Sequence, residues 1–514
     1  MPWPCTWRHV VADLALTLSG LAPAAEAADA QRGRALYEGR LPLATAMAPA
    51  VAARACVECH RPSGLGSFEG GLAVPPINGP TLFKAFDRDT AHFFAASASY
   101  RVRPAYDEPA LGRVLRSGIT PDGATLHALM PRYAIGETDL ADLSAHLRQL
   151  SNHLPDGIDA DTVHLASVTT PDADPVRRDA MLATLRRFIE QKNGQSRHEV
   201  QRAAQSRRTR EMVMYGKFRV WAFEHWPLQG EPATWAAQLD AWQARSPVYA
   251  LLGGVGATQW EPVEQFCERQ RLPCLLPLVD TPGAATATGF YNLHFHAGIE
   301  FDAGLAASAL KSQGLGSYEL RADAADPALA ERVRAAFTRA GLREATPAGA
   351  APGAWVSLLA PAAHTAWLRA STPAAPVVWL AGTHALGRAE LDAALPLTPR
   401  GLIVSPMQTG ERLDRQLTRA RLWLRAQGLE ALPLDVVAST LQAATVLGEG
   451  LAHADFNFTQ DYLLELLEHG LENVVPWSPY PRLAIGPGQR IASKGSWIGE
   501  IRQGQLDWQW RVAP

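Results

Sequence analysis

Cys56-Val57-Glu58-Cys59-His60 sets two thiols three positions apart, with an imidazole directly after the second. That order is the attachment signature of a c-type haem: the sulfurs bond to the two vinyl groups of one porphyrin, and the adjacent imidazole reaches the iron. The other chemistries of a Cys-x-x-Cys pair fit less well. Zinc would need a second ligand pair at suitable spacing, and the only later cysteines, Cys267 and Cys274, lie roughly 200 residues away.

Cytochrome iron commonly takes imidazole on one side and a methionine thioether on the other, which raises the reduction potential. Between Cys59 and Met181 the chain offers one methionine, Met130, within Leu129-Met130-Pro131-Arg132-Tyr133. Methionine usually serves as a flexible core filler. Here its proline neighbour and its position ahead of a helical run point to ligation. In that run, 138–150, the leucines at 140, 143, 147 and 150 fall on one face, and Thr138 is the expected N-cap.

Haem motif, Pro-containing loop, Met-Pro-x-Tyr and closing helix follow in this order over about residues 30–151, and this region resembles the class I (mitochondrial-type) cytochromes c. The resemblance implies one covalently attached haem c, with thioether bonds at Cys56 and Cys59, His60 as proximal ligand and Met130 as distal ligand. It further implies that Pro75 or Pro76 offers a backbone carbonyl to the free nitrogen of His60, a bond that orients the imidazole and tunes the metal. One departure is the Ala/Pro-rich spacer from Arg40 to Ala55, longer than the family norm.

The rest of the chain must carry and position this centre. Its 514 residues suffice for two or three domains. Tryptophan marks the division: none lies between Trp7 and Trp221, and thirteen lie from there to Trp510. A net charge of -3 with 47% hydrophobic residues describes a globular protein and gives no reason to expect a nucleic-acid partner. Arg8, the apolar run Val10 to Leu21 and Ala25-Glu26-Ala27 read as a secretory signal peptide, hence an exported, periplasmic protein. Covalent haem attachment points the same way, because the resembled family matures outside the bacterial cytoplasm. No other segment approaches the ~20 apolar residues of a membrane span. The expected organisation is a signal peptide at 1–27, a small all-α cytochrome c domain at 28–152, a Pro/Asp-rich linker at 153–161 and a two-lobed α/β domain at 162–514.

The α/β expectation rests on short apolar runs alternating with helical segments. Strands are expected at 163–168, 218–223, 248–254, 274–278, 317–320, 355–359, 377–380 and 401–404, with helices near 176–191, 234–245 and 260–270. Such runs argue for parallel layers buried on both faces. Their order over about 160–514, with the turn Leu251-Leu252-Gly253-Gly254, resembles the type 1 periplasmic-binding proteins that serve branched-chain amino acid ABC transporters. The section from Tyr480 to Trp510 resembles the β-rich ending of a variant associated with quinoprotein alcohol oxidation. The resemblance implies two lobes joined by crossing strands, closing on a small molecule. In that family a hydroxyl-rich turn holds the ligand carboxylate at a helix N-terminus. Here the turn Gly253 to Thr258 has one hydroxyl, so Thr258 is a candidate contact or equally an N-cap, and Thr281 is a second candidate. No acidic clamp for a ligand amine is identifiable.

Other features have a plainer meaning beside the chemical one. His294 and His296 could pair on a metal, although a polar strand face is the commoner outcome. Cys267 and Cys274 could close a disulfide in an oxidising compartment, or stay as two buried thiols. Twelve Lys/Arg against four Asp/Glu from Arg177 to Arg219 could dock an acidic redox partner, or form a solvated helical face.

With Met130 on the iron no open coordination position remains, and no catalytic constellation stands out, so the chain is expected to carry single electrons rather than to be an enzyme. Its expected partners are a quinoprotein dehydrogenase as donor and a terminal oxidase or another cytochrome as acceptor. The alternative is a ligand-binding sensor or ABC uptake receptor in which haem reports occupancy. A peroxidase-like enzyme would require a vacant iron position.

Overall fold

The computed structural model describes residues 28–46, 53–69, 71–86, 102–205, 219–257, 259–283, 289–324, 327–345, 351–454 and 457–512. The expected signal peptide, Thr258 and residues 206–218 of the basic stretch lie outside the described residues. The chain divides into two compact units, Met1–Leu150 and Ser151–Pro514.

In the first unit, Asp29 caps the helix Ala30–Tyr37, its carboxylate accepting from the amides of Gln31 and Arg32. This helix crosses the helix Glu137–Gln149 backbone to backbone. Gly33 permits the approach, since a Cβ there would lie 1.9 Å from the Asp142 carbonyl oxygen. Arg32 fastens the crossing by reaching Asp139 and Asp142. On the second helix Leu140, Leu143 and Leu147 are buried, and Leu150 closes the face. The expected cap at Thr138 is a miss: Gly136 is the N-cap, two positions earlier. Glu137 and Asp139 then bring negative charge to the first turn, where the helix dipole favours it.

A third helix, Glu108–Ser117, starts at Asp107 and ends at Gly118 in the left-handed conformation. Among the described residues the unit is not purely helical. Ala44–Thr45 pairs with Tyr133–Ala134, and Ser67–Glu69 with Leu72–Val74, both antiparallel.

The segment 153–161, expected as a linker, is packed into the second unit. A Cβ on Gly157 would lie 2.0 Å from the Tyr249 amide nitrogen, and Ile158 is buried in the core beneath. Its Pro/Asp composition builds a turn, with Ile158 bridging to Val163, rather than a solvated tether.

Among the described residues that second unit holds two seven-stranded sheets. In the first, Thr162–Thr169 is central, flanked by Val220–Pro227, Ala250–Leu252 and Val255–Gly256, with Cys274–Leu275, Leu278–Val279 and Asn292–Leu293 outside them. Its pairings are all parallel. The expected strand 248–254 is shorter, because Gly253 and Gly254 at positive φ break it before Val255. The helix expected at 176–191 runs on as Pro175–Gln205.

The second sheet runs in the order Arg343–Glu344, Ser317–Arg321, Ala354–Ser357, Val377–Leu380, Arg400–Ser405, Gly495–Arg502, Gln505–Val512. Pairing is parallel up to Arg400–Ser405 and antiparallel in the closing hairpin. Val377–Leu380 is buried throughout, as a strand covered on both faces should be.

Between the two sheets the chain changes lobe three times. After Arg400–Ser405 it returns to the first lobe, where the helices Leu434–His453 and Gln460–Gly470 bury Val436, Leu447, Leu463 and Leu464 in the core. The last crossing is pinned by Arg490 and Glu468, a 2.8 Å ion pair with both side chains 1% exposed. The result is a two-lobed α/β fold. Among the described residues no helix is long and apolar enough to cross a membrane.

Candidate functional site

The helix Cys56–His60 presents Cys56 and Cys59 three positions apart, hence on one face. The Glu58 carboxylate accepts from the Ala55 amide at 2.9 Å and fixes the helix start. At its end Arg61 takes φ 67°, and its carbonyl accepts from the Tyr37 hydroxyl. His60 is buried, and its Nδ1 donates to the Pro75 carbonyl at 2.9 Å. Of the two prolines considered, Pro75 makes this contact. With Nδ1 occupied as a donor, Nε2 keeps the lone pair of a neutral ring. Burial pushes the imidazole pKa down to about 4, against the raising effect of the Pro75 bond. The Cys56 thiol is pushed up to about 11, chiefly by burial.

These side chains wall a cavity of about 740 Å³, and Met130 and Pro76 line it too. Drug-sized and cofactor pockets span roughly 300–1,000 Å³. Met130 is half-buried against the unit's core. Its loop is bonded into shape: the Leu126 amide donates to the Gly118 carbonyl at 2.8 Å, and the Met130 amide to His127 at 3.1 Å. Arg132 ties the same loop by donating to the carbonyls of Met130 and Leu126. Gly118 makes room, since a Cβ there would lie 2.3 Å from that guanidinium.

Three cavity-lining residues escaped the sequence reading. The Tyr133 hydroxyl donates to the Arg54 carbonyl at 3.0 Å across 79 residues. Arg103 donates to the carbonyls of Thr81 and Pro104 at 2.7 and 3.0 Å, its guanidinium 4.8 Å above the Tyr106 ring. Of these only Tyr133 left a signal, its place after Met-Pro-x.

In the second unit, the candidates are scattered rather than convergent. Thr281 is buried beside Asp280, whose carboxylate accepts from the backbone amide and hydroxyl of Thr383, both at 2.9 Å. His294 and His296 do not form a strand face, because the strand ends at Leu293. His294 Nε2 meets the buried Glu264 at 3.0 Å, whereas His296 stacks on Tyr480 with centroids 5.3 Å apart. Among the described residues no three His, Cys, Asp or Glu side chains converge as a metal site. Cys267 and Cys274 form a disulfide from the helix Glu261–Gln270 to the strand Cys274–Leu275. Within the basic stretch, Arg187 bonds Gln427, and Arg177 bonds the Thr383 carbonyl.

No protein-family model and no curated protein sequence matches this chain. Solved structures resemble it in part. The leucine-binding protein LivK of Thermotoga maritima MSB8 covers 68% of this chain and 99% of its own, at 12% identity and a TM-score of 0.42. The branched-chain amino acid transporter substrate-binding protein LivJ of Streptococcus pneumoniae, solved with isoleucine, covers 68% and 100%, at 13% identity and 0.42. An extracellular ligand-binding receptor from Rhodopseudomonas palustris HaA2 covers 68% and 99%, at 11% identity and 0.45.

Proposed function

We propose that the first unit is an exported c-type cytochrome that passes single electrons, and that the second docks it to a substrate-oxidising, quinoprotein-type dehydrogenase. The observation that carries this reading is the cavity itself. Cys56, Cys59 and a neutral His60 line it together with Met130, and Pro75 already occupies the other ring nitrogen of His60. The residues fit a covalently held haem: two thiols on one helix face, an imidazole with its lone pair free, a thioether and an apolar chamber. Bound haem supplies a one-electron couple, whose potential axial ligation and burial set.

The chain's own residues do the rest. Pro75 holds the His60 ring in one orientation and one tautomer. Arg132 and Gly118 hold the Met130 loop, and Leu126 and Leu143 help keep water from the chamber. His60 and Met130 would hold the iron between them, and electron exchange would then need no open site. The acceptor in this reading is a terminal oxidase or another cytochrome.

Matured full-length protein tests it. Cys56→Ala with Cys59→Ala should abolish covalently attached pigment, and Met130→Ala should lower the potential by on the order of 0.1 V. Reduction by a quinoprotein dehydrogenase should be seen in stopped-flow spectra. Colourless matured protein would sink the proposal.

A second reading makes the two-lobed unit a receptor, as a sensor or for ABC uptake, with haem reporting occupancy. Two lobes presenting strand C-terminal ends, the usual ligand position in open α/β sheets, favour it. Leucine or isoleucine raising the melting temperature and shifting the potential would decide for it; an unchanged potential would exclude the reporter role.

A further inference from the structure

We infer that the crevice between the lobes is held shut by the chain itself, through a carboxylate-binding site that Asp280 fills. Asp280 follows the strand Leu278–Val279 of the first lobe, and Thr383 follows the strand Val377–Leu380 of the second. Both stand at the carboxyl ends of parallel strands, where open α/β sheets hold their ligands. Thr383 offers a backbone N–H and a hydroxyl, and the Asp280 carboxylate accepts both at 2.9 Å. Bonds to a charged acceptor are the stronger kind. From the first lobe Arg177 takes the remaining polar group of Thr383, its carbonyl, at 3.3 Å.

The backbone is shaped for this contact. Gly382 sits at φ 53°, and a Cβ there would come within 3.0 Å of an Asp280 carboxylate oxygen. The Asp280 carbonyl is itself fixed, accepting from the Ile299 amide at 2.9 Å just after the chain first crosses between lobes. Thr383 is 3% exposed, so bulk water does not compete for the latch. A free carboxylate has to displace Asp280 before it can use the same donors. The lobes therefore close without a ligand, and only when the Asp280 side chain is absent can a small carboxylate take the same donors.

Hydrogen exchange and small-angle scattering on the full-length, matured, ligand-free protein test this. The Thr383 amide should be protected and the lobes closed with no ligand added. Asp280→Gly should speed exchange at Thr383 by roughly ten-fold or more and enlarge the particle. Acetate should reverse both changes in that variant and do nothing to the wild type. Asp280→Asn, which keeps the shape, should give a smaller change in the same direction, and Thr383→Ser should behave as wild type. An open ligand-free wild type, wild-type exchange in Asp280→Asn, or an Asp280→Gly protein that folds but ignores acetate overturns the inference.

Discussion

Asp302 is fully buried; one carboxylate oxygen accepts from the Ser496 hydroxyl, and among the described residues the other has no hydrogen-bond partner. Burial raises its pKa from 3.8 to about 7, against the lowering effect of Ser496 and with a further push from Asp280. Between these two values the folded protein keeps a proton that the unfolded chain has released. Unfolding then releases a proton, so this group's contribution to stability falls as pH rises through the window. Asp302→Asn should remove that slope, gaining on the order of a few kcal/mol on the wild type between about pH 4 and about pH 7. Denaturant unfolding at both ends checks it, and parallel pH profiles would refute the assignment. Legibility at this scale follows sequence distance. The Cys-x-x-Cys-His motif is local, so as a motif it was readable from the sequence. The partners that decide its geometry were not: which proline faces His60 depends on the turn between them, and the Asp280–Thr383 contact spans 103 residues.

Elements were easier to read than their ends. The leucine face of Glu137–Gln149 needs only a helical period, and the buried strands need only their apolar runs. Ends depend on what lies beside them. Thr138 looked like a cap, yet the helix begins at Glu137, where the first-turn acids Glu137 and Asp139 meet Arg116 and Arg32 from other helices. The crossing of Ala30–Tyr37 with Glu137–Gln149 is itself a tertiary fact that one glycine encodes. Gly33→Ala should therefore force the helices apart, at a cost of about 1–3 kcal/mol or more. Thermal unfolding reads the loss, and an unchanged midpoint would mean that the crossing yields easily. The alanine variant should keep its secondary structure, since alanine favours helix more than glycine does.

At the scale of the whole molecule, the boundary at Leu150 leaves Gly157 and Ile158 with the second unit. A fragment of residues 151–514 should thus outlast one of residues 162–514 by roughly 2 kcal/mol, the worth of a buried isoleucine side chain. Urea unfolding of the two fragments measures the difference, and equal midpoints would restore 153–161 to the role of a tether. Tryptophan content and hydrophobic periodicity change together on either side of the boundary between the two units. That the chain recrosses between lobes was not legible in any local pattern, since the helix Leu434–His453 reads as an ordinary buried helix whichever sheet it covers.

That recrossing governs how the molecule can be assembled. Arg400–Ser405 has its neighbour on one side only until residues 495–512 have been synthesised, and the first lobe lacks part of its apolar cover until 434–470 have emerged. A partly made chain accordingly exposes a bare strand edge and sticky surface together, the combination most prone to misassociation. Folding of residues 151–514 in one late, cooperative event is the course this topology favours.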